Sequence, residues 1–305
     1  MSLNCNQQSV LRAVKQTFYN VWCFLCLYAL GAWYTLIELN RKYELLTKVR
    51  KLDIDKDIPT DLTGNICIIT GGSRGIGWEA AKVLLQKGCH VIIASSVEGG
   101  AIRSLEQKLN DDAKSYKGRL EVWHLNLSSM ASVKQFVNKF DASGYHLNVL
   151  INNAGQMFAP YKLTEDKIES HWAINYLAHC LLVALLLPTL EKTGSKFGTK
   201  SRVINVASST HFARNMNFND LNGDNLYSPF HAYAQSKLAQ IMFTYKLHTV
   251  LTASNSFSNV RALTLHPGVA KTELYEHVWW VVAFPYIANQ LFRVSIKLLT
   301  LIISH

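Results

Sequence analysis

Tyr233 and Lys237 stand four residues apart in the stretch AYAQSK, with no acidic side chain between them. On a helix, residues at that spacing share a face, so the ammonium of Lys237 sits beside the phenol of Tyr233 and favours its ionised form. An unperturbed phenol, with a pKa of about 10, is a reluctant base near neutrality. A neighbouring cation makes it usable as a general acid or base, so the chemistry open to this pair is proton transfer at an oxygen. The same pair on an ordinary helix surface would do nothing, and the rest of the chain has to decide between the two readings.

Far upstream, TGGSRGIG supplies Thr70, Gly71, Ser73, Arg74, Gly75, Ile76 and Gly77 between the apolar run NICIIT and the helical pattern GWEAAKVLLQKG. Glycines where a strand turns into a helix let backbone amides approach a pyrophosphate at the positive helix end. The expected second strand closes on Ala94, Ser95 and Ser96, with no carboxylate to hold a ribose 2′-hydroxyl or repel a 2′-phosphate. With Arg74 in the turn this favours NADP(H), NAD(H) being the alternative, although Arg74 also reads as a solvated turn residue.

These residues need a frame, and the chain alternates short β-branched runs with helical periods. NICIIT, HVIIAS, LEVWHL, LNVLINN, SRVINVAS and VRALTLH read as strands, with helices after the glycine turn, near Arg103, from Met130, and around Ala178 and Leu238. Such alternation predicts right-handed crossovers and an α/β fold of the Rossmann type, a doubly wound parallel sheet with helices on both faces. No internal repeat or low-complexity segment interrupts it.

A chain of 305 residues that is 49% hydrophobic suits one such domain plus a membrane segment. The net charge of +10 is scattered and not interleaved with aromatics, which argues against a nucleic-acid partner. Cys5, Cys23, Cys26, Cys67, Cys89 and Cys180 show no disulfide-framework spacing; Cys23 and Cys26 form a CxxC, but inside an apolar run with no second pair, and no metal is expected. From Gln16 to Ile37 no residue is charged, a run long enough to cross a bilayer as a helix. Arg41, Lys42, Lys48, Arg50 and Lys51 follow it, which places the C-terminal side in the cytosol. The expected organisation is a membrane anchor over 1–41, a linker over 42–63, a dinucleotide-binding catalytic domain over 64–275 and an apolar lid or membrane-associated segment over 276–305.

Together, TGGSRGIG, NNAG (Asn152 to Gly155), YAQSK and HPGVAKTEL, in this order, resemble the short-chain dehydrogenase/reductase family over roughly residues 64 to 275. INVASSTH and SKLAQIMFTYKL resemble its retinol-dehydrogenase-like branch. YSPFHAYAQSKLAQIMFTYKL with ELYEHVWW looks closest to a member of that branch that acts on long polyprenoid alcohols and aldehydes. The resemblance implies an NAD(P)-dependent oxidoreductase acting on CH–OH groups of a lipophilic retinoid, steroid or polyprenoid substrate. A membrane site, in the endoplasmic reticulum with the domain in the cytosol, accords with this, and a homodimer is compatible with it.

Carried over residue by residue, Tyr233 matches the proton donor or acceptor, and Lys237 the residue that lowers its pKa and holds the nicotinamide ribose. Ser208 matches the serine that orients the carbonyl of the substrate, with Ser209 its neighbouring alternative, and Asn175 the helix asparagine of a water-borne proton relay. On the cofactor side stand the glycine turn, Ser95, Asn126, Asn153, Ala154 and Gly155, then Pro267, Gly268, Val269 and Thr272 beside the nicotinamide and phosphates. His211 is expected to be a satisfied loop histidine rather than a base.

Departures from the family pattern are specific. Asn126 stands where an aspartate usually meets the adenine, and an amide still hydrogen-bonds there. After VWWVVAFPYIANQLF the chain runs to His305 without the usual final helix and seventh strand, so part of the lid and sheet edge is expected to be missing. An active membrane-anchored oxidoreductase and a nucleotide-binding scaffold with little catalysis both remain open on the sequence, the intact Tyr, Lys, Ser and Asn set favouring the first.

Overall fold

The computed structural model describes residues 5–42 and 61–267, with side chains from 8 to 33 in the first of these segments. Residues 43–60 of the expected linker over 42–63, the C-terminal segment, Gly268, Val269 and Thr272 lie outside the described residues.

Each β-branched run forms a strand: β1 (Ile66–Thr70), β2 (His90–Ser95), β3 (Leu120–His124), β4 (Val149–Asn152), β5 (Ser201–Val206) and β6 (Val260–Leu265). Their order across the sheet is β3-β2-β1-β4-β5-β6, and every pairing is parallel. Helix α1 (Cys5–Lys42) precedes the sheet; α2 (Gly75–Gln86), α3 (Gly100–Asp112), α4 (Met130–Ala142), α5 (Ala178–Phe197) and α6 (Pro229–Ala253) connect its strands. This is the doubly wound architecture that the alternation predicts.

Alternate side chains along each strand feed two cores. Ile68, Ile92, Leu150 and Val203 face Phe136 and Phe140 of α4 and Leu182 and Leu186 of α5. Cys67, Ile69, Val91, Ile93 and Ile151 face Ala80, Ala81, Leu84 and Leu85 of α2 and Leu109 of α3. Strands buried on both faces carry the near-continuous apolar runs seen in the sequence, and each fully buried Ile or Leu is worth about 1.5–3 kcal/mol. Local signals set several helix ends: the Ser129 hydroxyl caps α4 by accepting from Ser132 N at 3.3 Å, Pro229 opens α6, and Gly198 ends α5 at φ +65.

One segment departs from simple alternation. Before α5, Trp172–Leu177 forms a π-helical turn, a widening of the helix that is common at functional sites. The Gln16–Ile37 run lies within α1 as one continuous helix. Among the described residues, the helix long and apolar enough to cross a membrane is Trp172–Phe197, which is 44% buried over its most apolar window and packs against the sheet as a core element.

Candidate active site

The C-terminal ends of the strands bring the glycine turn and the post-β4 segment together. Thr70 ends β1 fully buried, and its Oγ1 accepts the N–H groups of Asn153 and Ala154, both at 3.0 Å. Asn153 Nδ2 donates back to the carbonyls of Thr70 and Gly71, both at 3.0 Å, while Gly71 N donates to Ala94 O at 3.0 Å. Neighbouring strands are thus latched where the sheet order turns from β1 toward β2 on one side and β4 on the other, the place where parallel sheets bind nucleotides.

Glycine is required here for stated reasons. Gly71 (φ +62) and Gly75 (φ +54) hold left-handed conformations. A Cβ on Gly77 would lie 2.4 Å from Gly71 O and 2.6 Å from Asn153 Nδ2. Arg74 enters α2 extended, with no side-chain cap on the helix end, so the first amides are available to an anion. Ser73 and Ile76 are half-buried and Arg74 is exposed in the same turn. A cradle that a Cβ would fill, beside an uncapped helix start, fits a dinucleotide pyrophosphate.

On the side expected to meet the adenine, Ser95 is buried and its Oγ accepts from Val97 N at 3.4 Å. Asn126 Oδ1 accepts from Ser128 N at 3.0 Å and Ser128 Oγ at 2.7 Å, so this side chain shapes the turn into α4. Pro267 follows β6 half-buried.

Tyr233 and Lys237 lie on α6, as the spacing predicts, with exposures of 3% and 4%. Lys237 Nζ donates to Val206 O and to Gln240 Oε1, both at 2.9 Å, and lies 5.9 Å from the centre of the Tyr233 ring. Burial alone pulls the ammonium down to about 7 and pushes the Tyr233 phenol up to about 12, with a Ser208 hydroxyl hydrogen bond opposing the latter. The four-residue spacing therefore puts the cation beside the phenol, but in the protein alone burial raises the phenol instead of the cation lowering it. Of the two serine candidates, Ser208 is the one bonded to Tyr233, while Ser209 is tied through its N–H to His266 Nδ1 at 3.3 Å. His211 donates from Nδ1 to Ser208 O at 2.6 Å.

Asn175 sits in the π-helical turn, fully buried. Its Oδ1 accepts from Gln156 N at 2.9 Å, and its Nδ2 donates to Gln156 O at 3.0 Å and Ser236 Oγ at 2.9 Å. Gly155 keeps this corner open: a Cβ there would stand 3.1 Å from Asn175 Oδ1 and 3.6 Å from Lys237 Nζ.

Several supporting groups escape sequence reading. Gln240 is a turn beyond Lys237 on the same helix face, and Thr244 Oγ1 then accepts from Asn205 Nδ2 at 2.8 Å, joining α6 to β5. His179, fully buried, donates from Nδ1 to Asn175 O at 3.2 Å and accepts the Thr70 hydroxyl at 3.0 Å, which links Asn175 to the glycine turn. Beside Tyr233, Glu169 accepts from His171 Nδ1 at 2.8 Å and Tyr227 OH at 3.2 Å. His171 Nε2 in turn accepts from Ala159 N at 3.2 Å, bracing the loop that carries Phe158. Gln240 and His179 carry a usable signal, helical spacings of three and four from Lys237 and Asn175; the Glu169 cluster depends on tertiary folding and has none.

The profile of the short chain dehydrogenase family matches residues 65–279. Polyprenol dehydrogenase from Homo sapiens is 44% identical over 215 residues, covering 70% of this chain and 63% of that protein's length. Retinol dehydrogenase 11 from Homo sapiens is 36% identical over 230 residues, covering 73% of this chain and 68% of that protein. The Pseudomonas aeruginosa RhlG/NADP active-site complex superposes with a TM-score of 0.61 at 22% identity, over 81% of this chain and 91% of that one, a likeness of fold.

Proposed function

Since the chain belongs to the short-chain dehydrogenase/reductase family, we propose that it is an NADP(H)-preferring oxidoreductase of lipophilic alcohols and their aldehydes or ketones. The observation that carries this reading is the convergence of the Ser208-bonded Tyr233, Lys237 and Asn175 beside the latched glycine turn. Relatives named for polyprenol and retinol oxidation support the substrate class.

The dinucleotide supplies hydride acceptance and donation when bound. Thr70, Gly71, Gly75 and Gly77 shape the turn that would hold its phosphates, and Arg74 would meet a 2′-phosphate. Ser208 orients the reacting oxygen, and Tyr233 takes its proton in oxidation or gives one in reduction. Lys237 keeps positive potential against the phenolate, and Asn175 holds the relay end of the site.

We place the protein at the endoplasmic reticulum membrane with its catalytic domain in the cytosol; the exposed apolar side chains Phe18, Trp22, Leu25 and Trp33 of α1 support a membrane-facing helix. Cell fractionation with protease protection checks this: a domain shielded inside the lumen sinks it.

The function is tested by purifying the full chain in detergent and following NADPH and NADH absorbance with retinal, a steroid ketone and a polyprenal, beside a Tyr233→Phe control. Turnover that the substitution abolishes supports the enzyme and ranks its substrates. Tight cofactor binding without turnover on any of them rejects it in favour of a nucleotide-binding scaffold.

A further inference from the structure

Helix α1 lies across the two segments that present the oxygen-handling hydroxyls. Gln16 is bonded to both backbone groups of Tyr227, accepting from its N–H at 3.3 Å and donating to its carbonyl, and the Tyr19 hydroxyl is bonded to His231 Nδ1. These anchor points lead directly into Tyr233. On the Ser208 side, Arg214 donates to Cys23 Sγ and its guanidinium stands 5.4 Å from the Tyr19 ring centre. Between the two, Leu27 is 7% exposed in one buried cluster with Met157, Phe158, Tyr233 and Ala234, and Phe24 meets Phe230 edge-on at 5.6 Å.

The helix has two opposed faces. Gln16, Tyr19, Cys23 and Leu27 recur at helical spacing toward the domain. Phe18, Trp22, Leu25 and Trp33 are 74%, 60%, 55% and 63% exposed on the other side. A helix bonded along its Gln16–Leu27 length to the catalytic domain is placed by that domain, and its apolar side chains on the inner face meet the catalytic tyrosine rather than solvent.

We propose that α1 roofs the substrate site, with Leu27 as a specificity-determining residue that packs against the hydrocarbon chain of the alcohol. This rests on the oxidoreductase reading for its substrate class. An alcohol whose hydroxyl reaches Tyr233 extends its carbon chain among Met157, Phe158 and Leu27, the apolar groups that surround the phenol. Leu25, two residues away on the exposed face, has no part in this contact.

The test uses the full chain in detergent, with a photoreactive diazirine amino acid placed at position 27 or at position 25. Residue 27 is expected to capture peptides carrying Phe158 or Tyr233, and geranylgeraniol is expected to suppress that capture; residue 25 should capture detergent. Capture of detergent alone from position 27, or capture indifferent to geranylgeraniol, overturns the proposal whether or not the protein turns over. Kinetics supply the second readout: Leu27→Ala should raise KM for geranylgeraniol about tenfold, the scale expected for lost apolar pocket contact, with kcat for prenol within about twofold. Leu25→Ala should leave both unchanged, and a Leu27→Ala enzyme that behaves like Leu25→Ala rejects the role. Absence of turnover in the unaltered chain would refute the oxidoreductase reading, while the cross-links would still decide where α1 sits.

Discussion

Lys237 stands beside Tyr233 without serving its hydroxyl: the ammonium lies 5.9 Å from the ring centre and gives its hydrogen bonds to Val206 O and Gln240 Oε1. Support for the phenolate is therefore through space, and it lasts only while Lys237 is protonated. Burial works against both charges, pulling the ammonium to about 7 and pushing the phenol to about 12. The pair is poised so that neither charge forms easily in the protein alone.

A direct consequence is a pH dependence of opposite sign in the two reaction directions. Oxidation needs Tyr233 as a base, so kcat/KM for alcohol should rise with pH, whereas reduction needs the protonated phenol and should fall at high pH. Tyr233→Phe should lower kcat in both directions by about 10²–10⁴-fold, with NADPH affinity unchanged within a few-fold. Parallel pH profiles for oxidation and reduction would exclude Tyr233 as the proton carrier.

Lys237 also marks the stability of the cofactor-free protein. Its pKa falls from 10.5 unfolded to about 7 folded, so above pH 7 the unfolded chain holds a proton that the folded chain lacks, and stability rises with pH. The contribution is bounded by about 1.4 kcal/mol per pH unit. Burial raises the Cys89 thiol from 9.0 to about 12 and Cys67 well above 9.0, which reverses the trend above pH 9. Denaturant titrations between pH 7 and 9 should show a positive slope that Lys237→Met flattens; an equal slope in the variant would mean that the lysine is not desolvated.

At the acid end, burial holds His179 down to about 4 from 6.5. Its stability contribution is complete above pH 6.5 and is lost as pH falls toward 4, because the unfolded chain takes up the proton first. His266 behaves alike, also held to about 4, so His179→Asn should remove only part of the acid slope. The expected result is a smaller decline in unfolding free energy from pH 6.5 to 4.5 than in the unaltered chain, even though the variant is less stable at neutral pH. A slope identical to the unaltered chain would show that His179 titrates normally.

The glycine turn offers a sharper structural test. In Gly77→Ala the new Cβ would meet Gly71 O at 2.4 Å and Asn153 Nδ2 at 2.6 Å, which must break the Asn153 bonds that latch the turn to β4. NADPH binding, followed by fluorescence titration, should weaken by at least about tenfold, in line with the ~1–3 kcal/mol cost of stranding one buried polar group. Unchanged affinity would mean that the dinucleotide does not use this turn.

The parts of the fold visible in the sequence are those set by local periodicity. NICIIT, HVIIAS, LNVLINN and SRVINVAS are strands buried on nearly every side chain, the edge run VRALTLH keeps Arg261 and Thr264 exposed, and TGGSRGIG is a turn because Gly71, Gly75 and Gly77 meet conformations or contacts that a side chain would spoil. Tyr233 and Lys237 were legible by helical spacing, as was the possibility of a link between them. Burial was not: the spacing suggests a lowered phenol pKa, and the folded environment raises it. The π-helical turn at Trp172–Leu177 and the Glu169–His171–Tyr227 cluster carry no periodic signature because distant segments create them. Helix α1 reads as an uncharged span, but only folding shows Gln16, Tyr19 and Cys23 bonded to the catalytic domain.

Asn175 shows how a single buried amide can be tested for positioning as opposed to bulk stability. It satisfies both backbone groups of Gln156 and donates to Ser236 Oγ, while its own carbonyl accepts from His179, whose Nε2 reaches Thr70. Asn175→Leu conserves approximate volume but strands the Gln156 N–H and carbonyl, costing about 1–3 kcal/mol for each group left unpaired, while Ser236 Oγ keeps its bond to Tyr233 O at 2.8 Å. If Asn175 only holds the loop, the activity of Asn175→Asp, whose carboxylate accepts from Gln156 N but cannot donate to Gln156 O, should fall only in step with its stability. If the amide N–H donors also hold the proton relay, kcat of Asn175→Asp measured on folded protein should be depressed by about 10-fold or more while KM changes little. The second outcome is expected, because the two amide donors bind Gln156 O and Ser236 Oγ within a turn of Tyr233, and a carboxylate supplies neither. A kcat that falls only with the folded fraction would reduce Asn175 to a brace for the Gln156 loop.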